Sequence, residues 1–130
     1  MRWLLKTEPN DYSIDDLERD GSTCWDGVAN NAALKNMRDV RKKDLAFIYH
    51  TGKDKHVAGI ATVTSDPYEK DGLTVFDVAF KSRLKHPPTL KMVKAEPSLA
   101  DWALVKQARL SVMPVTMDQW KWVTERARKP

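Results

Sequence analysis

A small mixed α/β domain, with short helices flanking a barrel of five to six strands, is the fold this sequence predicts, and three observations predict it. The chain has 130 residues, 42% of them hydrophobic, which supplies one core in a domain of ordinary size. Strand-like runs are interleaved with short segments that open on helix-capping residues. These runs show no repeating strand–helix–strand unit, and the glycines at 21, 27, 52, 59 and 72 never gather into a phosphate-cradling loop. Disorder and a disulfide scaffold are excluded by the same composition, since Cys24 is the only cysteine.

The first strand runs from Arg2 to Lys6 and ends at Glu8-Pro9-Asn10-Asp11, where Pro9 holds Glu8 extended and Asn10 and Asp11 favour a turn. Ser13-Ile14-Asp15-Asp16 has the form of a capping box with Asp in the Glu position, so a short helix opens there and stops at Gly21. Trp25-Asp26-Gly27-Val28 reads as a turn, and Asn30 to Met37 as a second helix capped by Asn30 or Asn31. Asp44 to His50 is a nearly continuous apolar strand, and the turn at Thr51-Gly52-Lys53-Asp54 joins it to a hairpin partner from His56 to Thr64. Gly59 within that partner signals a bulge or a close backbone approach.

Asp71-Gly72 marks the next turn. Leu73 to Arg83 then alternates, Phe76, Val78 and Phe80 against Asp77, Ala79 and Lys81, the pattern of a strand covered on one face. Pro87-Pro88 breaks the chain, and Thr89 to Lys94 and Ser98 to Val105 read as two helices split by Glu96-Pro97. Leu110 to Met113 returns as a strand. Thr116-Met117-Asp118-Gln119 is a second capping box, opening a terminal helix that carries Trp120, Val123 and Trp122 inward or against a neighbour.

The net charge is +4, and its distribution points to a polyanionic partner. Acids dominate Glu8 to Asp20, whereas Lys35, Arg38, Arg41, Lys42 and Lys43 cluster with Asp39 alone among them, and Lys81 to Lys94 holds no acid. A lone cysteine leaves no intrachain disulfide or multi-thiolate zinc site, and no apolar run approaches the ~18 residues of a membrane span. A reducing compartment, cytoplasm or nucleus, is the expectation, with no membrane partner. His50, His56 and His86 lack metal-ligand spacing, no GxSxG occurs, and no cofactor motif is present.

The aromatic residues are more informative. Trp25 sits beside Asp26, with Asn30 just beyond, so a flat ring and hydrogen-bonding groups lie close together, as recognition of an unstacked base requires. The alternative is that Trp25 plugs the core and Asp26 caps a helix. Lys6 and Glu8, two apart on an extended chain, either form an ion pair or flank a pocket with Thr7 opposite. Tyr49 and His50 end the apolar strand on opposite faces, so one is expected to face inward and the other outward, and either could line a site.

Several ordered motifs carry a resemblance that spans almost the whole chain: Trp3 to Pro9 with Tyr12-Ser13-Ile14, Trp25-Asp26-Gly27-Val28 with Asn30, Phe47 to His50, Val57 to Ala61, and Leu104 to Val112. Together they resemble the EVE domain of the PUA-like superfamily, taking residues 1–130 as one domain. The resemblance implies a mostly antiparallel PUA-like barrel with an inward pocket, and binding of nucleic acid that carries modified bases. The related YTH domains enclose a methylated adenine in an aromatic cage. At the family's Ser, Arg and Tyr positions this chain has Thr7, Ala29 and Asn31, which adds a methyl group and removes one phosphate contact and one ring contact.

The leading functional expectation is therefore a nucleic-acid-binding module. A flipped base would be held by Trp25, Asp26, Asn30, Thr7, Lys6 and Tyr49 or His50, with Lys35, Arg38, Arg41, Arg83 and Arg109 on the backbone. A second expectation is a small hydrolase acting on a modified nucleoside, like the similar ASCH proteins, with Lys6, Thr7 and Glu8 as its groups. Adjacent strand residues point to opposite faces, which sets Lys6 and Thr7 apart. A third is a protein-interaction module using the exposed face of the helix that carries Trp120 and Trp122.

Overall fold

Seven strands hydrogen-bond into one mixed sheet in the computed structural model, which describes residues 1–130. In chain order the elements are β1 (Arg2–Thr7), α1 (Ile14–Asp20), β2 (Ser22–Trp25), α2 (Asn31–Asp39), β3 (Leu45–His50), β4 (His56–Val63), β5 (Tyr68–Lys70) and β6 (Leu73–Arg83). After β6 come α3 (Leu90–Lys94), a 3-10 turn (Pro97–Leu99), α4 (Ala103–Lys106), β7 (Val112–Val115) and α5 (Met117–Arg126). The strand order is β2-β6-β4-β3-β1-β7, with β5 added to β6 as a hairpin. Only β1 and β3 run parallel; every other ladder is antiparallel.

The capping chemistry forms as its residues dictate. Ser13 accepts from the Asp16 amide while Asp16 accepts from the Ser13 amide, and Thr116 and Gln119 repeat the arrangement at α5. Asn30, rather than Asn31, caps α2 by accepting from the Ala33 amide at 3.0 Å. Asp71 and Gly72 take φ of 53° and 80°, the left-handed pair that a two-residue hairpin between Lys70 and Leu73 requires.

Gly59 fulfils both of its alternatives at once. Ala58 on β4 and Lys81 on β6 are skipped by the ladders on either side of it, so a bulge flanks it on each face of the pairing. A Cβ at Gly59 would also lie 2.7 Å from Ile14 Cδ1 and 2.7 Å from the Ser82 carbonyl oxygen. The bulge at Lys81 ends the strict alternation expected along β6.

Four expectations are corrected. The strands number seven rather than five or six, because β2 and β5 are strands of four and three residues. The single helix expected over Ser98–Val105 is a 3-10 turn and α4, and the last strand begins at Val112 instead of Leu110. Finally, the ladders form an open path, since none joins β2 to β7.

The core gathers Trp3, Leu4, Leu5, Phe47, Phe76 and Trp102, each 2% exposed or less. Burying one such side chain stabilises the fold by about 1.5–3 kcal/mol. Trp120 stacks on Phe47 with ring centroids 3.9 Å apart, and Trp122 packs partly buried against the same cluster. The terminal helix thus turns both tryptophans toward the core, as its pattern predicts. No helix is long and apolar enough to cross a membrane.

Candidate functional site

The candidate site is a pocket at the ends of β1 and β2. β2 and β7 are the two free edges of the path, and α2 packs across the interval between them, against both β6 and β7. Asn36 Nδ2 on α2 donates to the Val112 carbonyl at 2.7 Å, tying the helix to the β7 edge. Beside this bridge a pocket of about 600 Å3 opens between the ends of β1 and β2, within the size range of small-molecule sites.

Four segments supply its walls. Lys6 and Thr7 come from the end of β1, and Glu8, Asp11 and Tyr12 from the loop before α1. Thr23, Cys24 and Trp25 come from β2, and Asp26 to Asn30 from the loop leading into α2, with Ser111 closing the rim. Five of the expected base-pocket residues, Lys6, Thr7, Trp25, Asp26 and Asn30, are thereby brought together. Trp25 is the last residue of β2, not a turn residue, and it is 7% exposed.

Tyr49 and His50 stand outside the pocket. β3 lies between β1 and β4 and both residues are buried, so neither face of this strand end is free. His50 Nε2 accepts from the Ile14 amide at 3.0 Å, satisfying an N-terminal N–H that α1 leaves unpaired, and its ring meets His56 edge-on. Burial, and then His56, push its pKa below the ordinary value. Burial pushes the Tyr49 hydroxyl up to about 12, and its ring lies under the Lys6 ammonium at 5.8 Å.

Lys6, Thr7 and Glu8 make no hydrogen bond or ion pair with one another. Lys6 Nζ donates to the Ala108 carbonyl at 2.9 Å, and burial lowers its pKa. Thr7 Oγ1 donates to the Tyr12 carbonyl at 2.7 Å. The Glu8 carboxylate accepts from the Asn10 amide and the Thr51 hydroxyl, both at 3.3 Å. Each reactive group is thus occupied by a structural partner, and the pocket carries the carboxylates of Glu8, Asp11 and Asp26 against the single cation Lys6.

The residues expected on the backbone are dispersed. Arg109 lines a hollow that shares Asn30 with the pocket. Arg38 and Arg41 line a separate cleft with Asp66 and Tyr68, and Lys35 is exposed on α2. Arg83 is tied to Asp15 and, at 2.6 Å, to Glu18, so its charge is neutralised by the acidic face of α1. Asp11, Tyr12, Thr23, Cys24 and Ser111 were not foreseen in the site. They come from three separate stretches of sequence, which only the fold brings together.

A sheet of this order, with its pocket at the seam between the ends of β1 and β2, defines a domain of the PUA-like class. The chain belongs to the EVE domain family, whose model matches residues 1–126. Thymocyte nuclear protein 1 of Danio rerio is 30% identical over 162 aligned residues, covering 94% of this chain and 70% of the relative. The NMR structure of Rpa0253 from Rhodopseudomonas palustris superposes with a TM-score of 0.91 at 40% identity, covering 98% and 92% of the two chains. The human THYN1 protein in complex with 5-methylcytosine containing DNA superposes with a TM-score of 0.92 at 25% identity, covering 99% and 98%.

Proposed function

We propose that this protein binds nucleic acid and takes one base, turned out of its strand, into the seam pocket, with a modified cytosine as the favoured occupant. The observation that carries the reading is the pocket itself, which joins the indole of Trp25 to unpaired carboxylates. Neither Asp11 nor Asp26 is in an ion pair. A ring face stacks on any base, whereas a carboxylate accepts from the exocyclic amine that cytosine presents. The DNA complex of the human relative supports the same class of partner. No bond need be made or broken in this role, in keeping with the structural partners of Lys6 and Thr7.

Fluorescence anisotropy tests the reading with matched oligonucleotides, single-stranded and duplex, that carry cytosine, 5-methylcytosine or thymine at one position. The methylated oligonucleotide is expected to bind several-fold more tightly than its unmodified counterpart, with thymine weakest. Equal affinity for all three would remove the base pocket from the reading and leave only charge.

A further inference from the structure

We infer that the cleft between the β3–β4 loop and α3 is a track for the phosphodiester backbone of the nucleic acid whose base enters the seam pocket, an assignment that rests on the binding reading above. Two segments far apart in sequence close around this cleft. The Leu90 amide donates to the Lys55 carbonyl at 3.0 Å, the Val57 amide to the Pro88 carbonyl at 2.9 Å, and an isolated bridge pairs His56 with Thr89. The closure gathers Lys53, Lys55, Lys91 and Lys94 around about 510 Å3, with Asp54 as the only carboxylate among the lining residues.

All four lysines are exposed, and none is in an ion pair. Lys55 Nζ spends one hydrogen bond on the Gly52 carbonyl at 2.7 Å. Arg83, by contrast, is held by two carboxylates. Unpaired like charges converging on one concave surface raise its potential, and a polyanion relieves their repulsion while releasing condensed counterions.

One loop connects the cleft to the pocket. The Thr51 amide donates to the Thr7 carbonyl at 2.9 Å, and the Thr51 hydroxyl reaches the Glu8 carboxylate at 3.3 Å. Gly52 sits so close that a Cβ there would lie 3.0 Å from the same carboxylate. The loop seated on the pocket's Glu8 therefore continues directly into the cleft's Lys53 and Lys55. With three carboxylates against one lysine, the pocket itself repels phosphate. A strand whose base is inside must hold its phosphates on a neighbouring cationic surface, and this loop leads to one.

The test measures affinity for a fluorescent single-stranded oligonucleotide against salt concentration. The proteins compared are wild type, the triple variant Lys53→Gln, Lys91→Gln, Lys94→Gln, and the control Lys70→Gln. Lys70 pairs with Leu73 at the start of β6, whereas the β4 ladder next to the cleft meets β6 at its far end, Arg83. Each phosphate contact contributes about 0.7 to the slope of log K against log salt, so the triple variant is expected to lose about 2 from the slope. Its preference among bases stays as in wild type, and the control keeps the wild-type slope.

A triple variant that binds with an undiminished slope, while wild type still discriminates among bases, overturns the track alone. A wild type that binds no oligonucleotide overturns the base-pocket reading and the track with it. Inorganic phosphate, added at ionic strength matched by chloride, is expected to displace the oligonucleotide no better than chloride. Selective displacement by phosphate would assign the cleft to a small anion and overturn the track.

Discussion

Trp25 belongs to the main core cluster and also walls the pocket, so the two roles open to it from sequence are combined in one residue. Trp25→Ala is therefore expected to cost ~3–5 kcal/mol of stability, visible as a lowered melting temperature, and binding losses in that variant follow unfolding. Asp26 separates the roles, being exposed, in the pocket and free of ion pairs. Asp26→Asn should leave the melting temperature almost unchanged while reducing the preference for cytosine-type bases several-fold by anisotropy, and an unaltered preference would exclude Asp26 from base reading. His50 is held neutral in the fold, whereas the unfolded chain protonates it near pH 6.5. The stability it contributes is complete above that pH and is lost as pH falls from there through the folded pKa. Urea midpoints at pH 7.5 and 5.5 should differ in wild type and converge in His50→Gln, whose side-chain oxygen still accepts from the Ile14 amide. Alternation along a strand could not reveal that both faces of β3 are covered, which is why Tyr49 and His50 were expected at a site they do not line.

Among the elements, those with capping residues and long apolar runs were legible, because a Ser13 or Thr116 hydroxyl acts on amides only three residues away. β5 was not, since Tyr68, Glu69 and Lys70 are all exposed and carry no inward face for a pattern to report. β2 was hidden for a different reason: it is four residues long and lies between the helix-ending Gly21 and the Asp26-Gly27 bend. Gly59 shows what an element-scale signal can convey. A new Cβ there meets Ile14 through its side chain, whose δ-methyl Ile14→Val removes, but meets Ser82 through a backbone carbonyl of the partner strand that no side-chain change relieves. Gly59→Ala should cost about 1–3 kcal/mol in chemical denaturation, and Ile14→Val in the same chain should fail to restore it. Full rescue by Ile14→Val would place the strain on the side chain instead of the β4–β6 ladder.

For the whole molecule, the decisive feature is that the two edges of the sheet path, β2 and β7, do not pair. Composition and periodicity made a small mixed α/β domain legible, because they count strands and faces, yet they carry no information on whether the last ladder forms. The pocket lies between β1 and β2, which no ladder joins, so its walls at Lys6–Tyr12 and Thr23–Asn30 come from strands well apart along the sheet path. A ligand that touches both walls couples β1 to β2, which no ladder joins. Binding to the folded state alone should stabilise it by about 2.7 kcal/mol at a ligand concentration one hundred times Kd. The distribution of that protection is the sharper expectation. Amide hydrogen exchange should slow together in Lys6–Tyr12 and Thr23–Asn30 when a methylated oligonucleotide binds, while the Tyr68–Leu73 hairpin exchanges at its unliganded rate. Protection confined to one wall would mean that the ligand rests on an edge of the sheet and does not span the seam.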